Sequence, residues 1–158
     1  MSRHLFNLAN WRHFLALGFG AGLAPKAPGT FGTLAAVPLV ALLMLIPLWS
    51  YLLVLVLAYV LGVYLCGSTA QDVGEHDHGA IVWDEIVGYG VTMLLVPLHW
   101  WTLLLGFVLF RFFDIVKPWP IGWLDKKIHG GHGIMLDDVV AGIMACLVLH
   151  GLLWWLVV

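Results

Sequence analysis

The chain has 158 residues, of which 62% are hydrophobic and only 10% charged. A soluble domain carries about 25% charged residues, so this composition places the chain in the membrane class. A net charge of −2 excludes the basic field that nucleic-acid binding requires. The length suits a single domain over 1–158, with no internal repeat, low-complexity tract or linker to divide it.

The first apolar run, "FLALGFGAGLA", is Gly-rich and has no A-x-A site after it, so it does not read as a cleaved signal. The two cysteines, Cys66 and Cys146, fall within apolar stretches, where a thiol packs as a small hydrophobe; no disulfide is expected.

Charged residues fall into groups: Arg3, Arg12 and Lys26; Asp72, Glu75, Asp77, Asp84 and Glu85; Arg111, Asp114, Lys117, Asp125, Lys126 and Lys127; Asp137 and Asp138. Three charge-free stretches lie between them, 27–71, 86–110 and 139–158. A crossing needs about 20 apolar residues, so 27–71 predicts a helical hairpin turning at Pro47, with Trp49 and Tyr51 as interfacial anchors. The stretch 86–110 fits either one crossing or two short helices broken at "VPLHWW". The last stretch, 139–158, fits one crossing. Arg and Lys are absent near 47–50 and 97–101, and the positive-inside rule then favours the second hairpin, its halves reaching only part-way. The expected fold is all-α: a polytopic membrane bundle of about four to five apolar helices, with its polar motifs converging on the cytoplasmic face.

Four motifs carry those polar residues. In "PGTFGT", Gly29 and Gly32 permit close backbone approach, and Thr30 or Thr33 could cap a helix whose N–H groups favour an anion; an ordinary cap accounts for the same residues. In "IVWDEIVGYG", Asp84 and Glu85 open an apolar helix, as the helix dipole alone would favour, and Gly88 lies one turn on, where a neighbouring helix can approach. In "FRFFDIVKPWP", Arg111 and Asp114 share a helical face, and Pro118 ends the helix near Lys117. A structural salt bridge would explain the pair, while two cations around an acid also suit a phosphate and a metal. In "HGGHGIMLDD", a Gly-rich loop leads to Asp137 and Asp138 at the start of the last helix, with Gly142 one turn past Asp138.

Together Asp84, Glu85, Asp114, Asp137 and Asp138 form an acidic set that cannot stay ionised without counter-charge. Oxygen-only ligands, with a substrate phosphate completing the shell, point to Mg²⁺. The pairs His129/His132 and His76/His78 invite zinc, but the set is oxygen-rich and offers no Cys on that face. Signatures of Cys-dependent, aspartyl-phosphate and histidine lipid phosphatases are absent from the sequence.

The strings "APGTFGT", "HDHGAIVWDEIVG", "FRFFDIVKPWPIGWLD" and "HGGHGIMLDDVVAG" resemble, in order and spacing, the signatures of the phosphatidylglycerophosphatase A family, over about residues 15 to 145. The resemblance implies a Mg²⁺-dependent bacterial inner-membrane enzyme that hydrolyses phosphatidylglycerophosphate to phosphatidylglycerol and phosphate. It implies a multi-pass protein whose active site faces the cytoplasm and whose partner is a phospholipid in the bilayer. It carries functional roles onto Thr30, Asp84, Glu85, Arg111, Asp114, Lys117, Asp137 and Asp138. In the expected allocation Asp84, Glu85, Asp114, Asp137 and Asp138 are catalytic, and Glu85, Asp114, Asp137 and Asp138 ligate the metal. Gly29, Thr30, Gly32, Arg111 and Lys117 hold the phosphate.

Two other classes fit parts of the pattern. A lipid phosphotransferase would use the same chemistry with an alcohol acceptor. A divalent-cation transporter would more often carry an acid near the midplane, whereas the apolar segments hold only His99 and His150.

Overall fold

The computed structural model describes residues 5–75 and 78–157. Arg3, His76 and Asp77 lie outside the described residues, and with them the His76/His78 pairing. Among the described residues there is no strand, so the all-α expectation holds.

Helix α1 (Trp11–Ala16) is capped by Asn10, whose side chain accepts from the Arg12 N–H. Helix α2 (Pro28–Leu43) starts at a proline whose fixed φ suits the first helical position. That start differs from the expected threonine cap. Both Thr30 and Thr33 lie inside the helix, and the Thr33 hydroxyl donates to the Gly29 carbonyl at 2.9 Å.

The turn before α3 (Leu48–Val73) ends at Pro47, as expected. Trp49 is exposed, but Tyr51 is buried and donates to the Gly90 carbonyl at 2.7 Å, so it is no interfacial anchor. The reason lies in α4 (Trp83–Thr92), a ten-residue helix whose terminal carbonyls need donors away from water. The chain breaks over 93–99 and resumes as α5 (Trp100–Val116), giving the two short helices that the Pro97 region predicts.

Helix α6 (Ile121–Lys127) precedes α7 (Gly130–Val157). The last helix therefore begins seven residues before Asp137, and the expected Gly-rich loop is its first turns. Glycine is a poor helix former, yet here packing overrides propensity: a Cβ on Gly131 would overlap the Val63 carbonyl of α3.

Among the described residues two helices, α3 and α7 through Trp155, are long and apolar enough to cross a membrane, and α2 is apolar but shorter. Leu53, Val56, Leu57 and Val60 of α3 face outward, an apolar surface that suits lipid. Inside, one core cluster joins Ala36 and Val40 of α2 to Tyr89 of α4, Phe110 of α5 and Ala141, Ala145 and Leu149 of α7. A second joins Ala16, Leu65, Cys66, Val87, Ile134 and Met135.

Helices α4 and α7 contribute to both clusters. They cross where a Cβ on Gly142 would overlap the Gly88 carbonyl and one on Gly88 would meet the Asp138 carbonyl at 2.7 Å. Small residues permit this backbone contact, and it sets the acids of α4 against those of α7.

Candidate active site

Each polar motif contributes from a fixed point on its helix. Asp84 and Glu85 occupy the first turn of α4, and Arg111 and Asp114 the last two turns of α5. Lys117 caps α5 in a left-handed conformation, φ 45°, the helix end that Pro118 predicts. Asp137 and Asp138 lie about two turns inside α7.

These points converge. Asp84, Glu85, Asp137 and Asp138 are all buried. One carboxylate oxygen from each of Asp84, Glu85 and Asp138 lies within 4.8 Å of the others. Arg111 Nη1 stands 2.5 Å from Asp114 Oδ2 and donates to Glu85 Oε1 at 3.4 Å. Lys117 Nζ donates to Asp137 Oδ2 at 2.6 Å and to Asp125 Oδ1 at 3.1 Å. Burial works against the Lys117 ammonium, but hydrogen bonds and charge from Asp137, then Asp125, hold its pKa above the ordinary lysine range.

Gly29 closes the cradle from α2. A Cβ there would overlap Glu85 Oε1 and lie 3.0 Å from both terminal nitrogens of Arg111, so only glycine leaves this approach open. Thr30 stands beside it in the first turn. Gly32 is placed elsewhere, against Val82, where a Cβ would fall 2.5 Å from the Val82 Cβ; its close approach serves packing between α2 and the segment leading into α4. Thr33 Oγ1 lies 3.5 Å from Arg111 Nη1.

The grouping of acids differs from the expected allocation. Asp84, assigned a catalytic role without ligation, is one of three carboxylates with oxygens within 4.8 Å of one another; of these Glu85 also meets Arg111, as Asp114 does, and Asp137 meets Lys117. Sequence reasoning gave Thr33 only a possible capping role and gave Asp125 none. Thr33 had a signal, sitting one turn from Gly29 on the same face; Asp125 had none, because its approach to Lys117 depends on the turn between α5 and α6.

Do these residues fit a divalent cation? Six carboxylates, Asp125 at the rim among them, gather with two cations, Arg111 and Lys117, and Asp138 Oδ2 and Arg111 Nε are buried without a hydrogen-bond partner. Burying carboxylates in excess is costly unless a counter-ion joins them, and an all-oxygen donor set suits a hard ion. They fit. Zinc finds less support: His132 Nδ1 lies 3.3 Å from the Tyr59 hydroxyl, and His78 Nδ1 accepts from the Ala80 N–H.

A family model described as phosphatidylglycerophosphatase A matches residues 14–153. A curated relative of that name from Escherichia coli (strain K12) is 47% identical over 151 residues, covering 95% of this chain and 88% of its own length. Another of the same name, from Haemophilus influenzae, is 48% identical over 152 residues, covering 95% of this chain and 93% of its own length. No solved structure matches the chain.

Proposed function

The chain belongs to the phosphatidylglycerophosphatase A family, and from that premise we propose that it hydrolyses phosphatidylglycerophosphate to phosphatidylglycerol and phosphate in the cradle between α4, α5 and α7, with Mg²⁺ as cofactor. The observation that carries the reading is the gathering of Asp84, Glu85 and Asp138 oxygens within 4.8 Å, beside a guanidinium that faces a glycine.

Asp84, Glu85 and Asp138 would hold the ion. When bound, it would supply Lewis-acid polarisation of the phosphoryl group and a water of lowered pKa. The remaining roles belong to side chains. Arg111 stabilises the equatorial oxygens as charge moves toward the leaving glycerol oxygen. Asp114 fixes the guanidinium, since a bidentate donor loses its advantage when its plane turns. Asp137 and Asp125 hold Lys117 charged at the rim, where it neutralises the arriving headgroup. Gly29 and Thr30 supply the closely approached backbone at the start of α2. A carboxylate of the cradle can act as nucleophile, or can accept the proton of an attacking water.

A single domain over 1–158 agrees with the part α4 and α7 play in both core clusters. The protein sits in the bacterial inner membrane, with α2, α4 and α5 completing the bundle around the two long apolar helices, in four to five passes or partial passes. Lys26, Lys126 and Lys127 accompany the site segments, which the positive-inside rule assigns to the cytoplasm. A reporter fused at His99 tests the topology: a periplasmic signal means that the α4–α5 hairpin crosses fully, and a cytoplasmic one makes it re-entrant.

The chemistry is tested by phosphate release from phosphatidylglycerophosphate in detergent, with and without Mg²⁺, for wild type and Asp138→Asn. Metal-dependent release that collapses in the variant supports the reading. Release unchanged by chelation would sink the cofactor assignment, and transfer of phosphate to an alcohol instead of water would make the enzyme a phosphotransferase.

A further inference from the structure

Of the apolar grooves between the described helices, three reach toward the cradle, and they differ in what stands at that end. One lies between α2, α3 and α4 and another between α3, α4 and α7, with walls that include Ile86, Val87 and Val139. These are chain neighbours of Glu85 and Asp138, so a phospholipid lying in either would bring its anionic headgroup first to carboxylates.

The third groove, of about 350 Å³, runs between α2 and α5. Leu34 and Val37 form one wall and Leu103, Leu104 and Phe107 the other, with Trp100 at the far end. One turn nearer the cradle than Leu34 stands Thr30, and one turn beyond Phe107 stands Arg111. The groove therefore opens onto the cation and the glycine of the phosphate site. From Arg111 to Trp100 the helix rises about 16 Å, close to half of the ~30 Å hydrocarbon layer. Leu34 and Leu104 are 55% and 57% exposed, so the groove is open sideways.

We propose that the α2/α5 groove seats an acyl chain of the substrate phospholipid, which slides in laterally from one leaflet while Arg111 receives its phosphate. The proposal rests on the lipid-phosphatase reading of the cradle. Bilayer hydrocarbon is as apolar as the groove, so occupancy contributes little affinity. It fixes the height and direction from which the headgroup meets the cradle, and positioning of that kind governs rate steeply.

The test fills the groove from its rim. Leu34→Trp and Leu104→Trp place an indole where the native side chain is already exposed, so neither requires the core to repack; Leu57→Trp, on the outward face of α3, is the control. Phosphate release is measured on long-chain phosphatidylglycerophosphate in micelles and on its water-soluble deacylated headgroup. Filling should lower kcat/KM on the long-chain substrate about tenfold or more, leave the deacylated one unchanged, and be absent in the control. Equal losses on both substrates, or none on either, would overturn the proposal, the latter meaning that bulk lipid or a second copy covers the groove.

A substrate analogue with a diazirine at its acyl terminus gives an independent readout. Adducts on α2 and α5 support the groove, and adducts on α3 or α7 overturn it. A wild type inactive on both substrates would overturn the phosphatase reading itself, and the groove assignment with it.

Discussion

Two charged clusters in this molecule are built on opposite principles. Near the N-terminus, Asp72 of α3 receives Arg12 Nη2 at 3.4 Å and His13 Nε2 at 3.1 Å. The His13 Nδ1 accepts from the Asn7 N–H, which leaves the Nε2 proton to donate to the aspartate. One acid faces two donors, and the acid is 40% exposed. In the cradle the ratio is reversed: six carboxylates, counting Asp125 at the rim, gather around two cations, and four of the acids are buried. The first arrangement ties α1 to α3 and asks nothing of solution ions. The second stores a demand for positive charge at the place where a phosphate must be handled, and folding tolerates the excess because α3, α4 and α7 pack around it.

The largest effect expected from that contrast is a divergence of activity from stability. Asp138→Asn removes one buried carboxylate from the crowd and should lower phosphate release by about 10³-fold. Its melting temperature without metal should stay level or rise, as happens when a functional site gives up strained charge. A variant that melted several degrees lower while keeping its activity would make the cradle a structural ion network like the Asp72 clamp. Next in size is the response to metal. Mg²⁺ at about 100 times its Kd should stabilise the wild type by about 2.7 kcal/mol in thermal denaturation, and should leave Asp138→Asn nearly unmoved.

How much of this contrast could be read from the chain follows the distance over which each pairing acts. The Arg111–Asp114 pair, the helix end at Lys117 and the acids in the first turn of α4 were legible, because each depends on spacing within one helix. Gly88 and Gly142 were legible as sites of close approach, since a missing Cβ has little other use in an apolar helix. That Asp84 joins the acidic set was legible, but its approach to within 4.8 Å of Glu85 and Asp138 oxygens was not, because it depends on how α4 is rotated against α7, 54 residues away. Tyr51 was misread for the same reason. An aromatic near a turn looks like an anchor until a short helix elsewhere presents an unsatisfied carbonyl. The start of α7 was misplaced because glycine's low helix propensity is a local preference, and the α3 backbone outweighs it.

Lys117 carries the same contrast on the cation side. Lys117→Met leaves the buried Asp137 without its ammonium and should cost about 2 kcal/mol. The folded pKa of Lys117 lies above its unfolded value, so its contribution is complete below the ordinary lysine range and is lost as pH climbs through the folded value. The stability gap between wild type and Lys117→Met should therefore be constant from about pH 7 to about pH 10 and close only in stronger base. Denaturant midpoints taken across that range would reveal a gap that closed earlier, and such a result would show that Lys117 is not held by Asp137 and Asp125.

The smallest effect belongs to the clamp. Asp72 is partly solvated, and exposed pairs are worth about 0–1 kcal/mol, so Asp72→Asn should lower stability by no more than about 1 kcal/mol and leave phosphate release and its Mg²⁺ dependence intact. Screening adds a second signature: the loss should shrink in high salt, whereas the effects at the buried Asp138 should persist there. If Asp72→Asn reduced kcat without lowering the melting temperature, the clamp would be coupled to the cradle through α3, and the division between a structural and a functional charge cluster would fail.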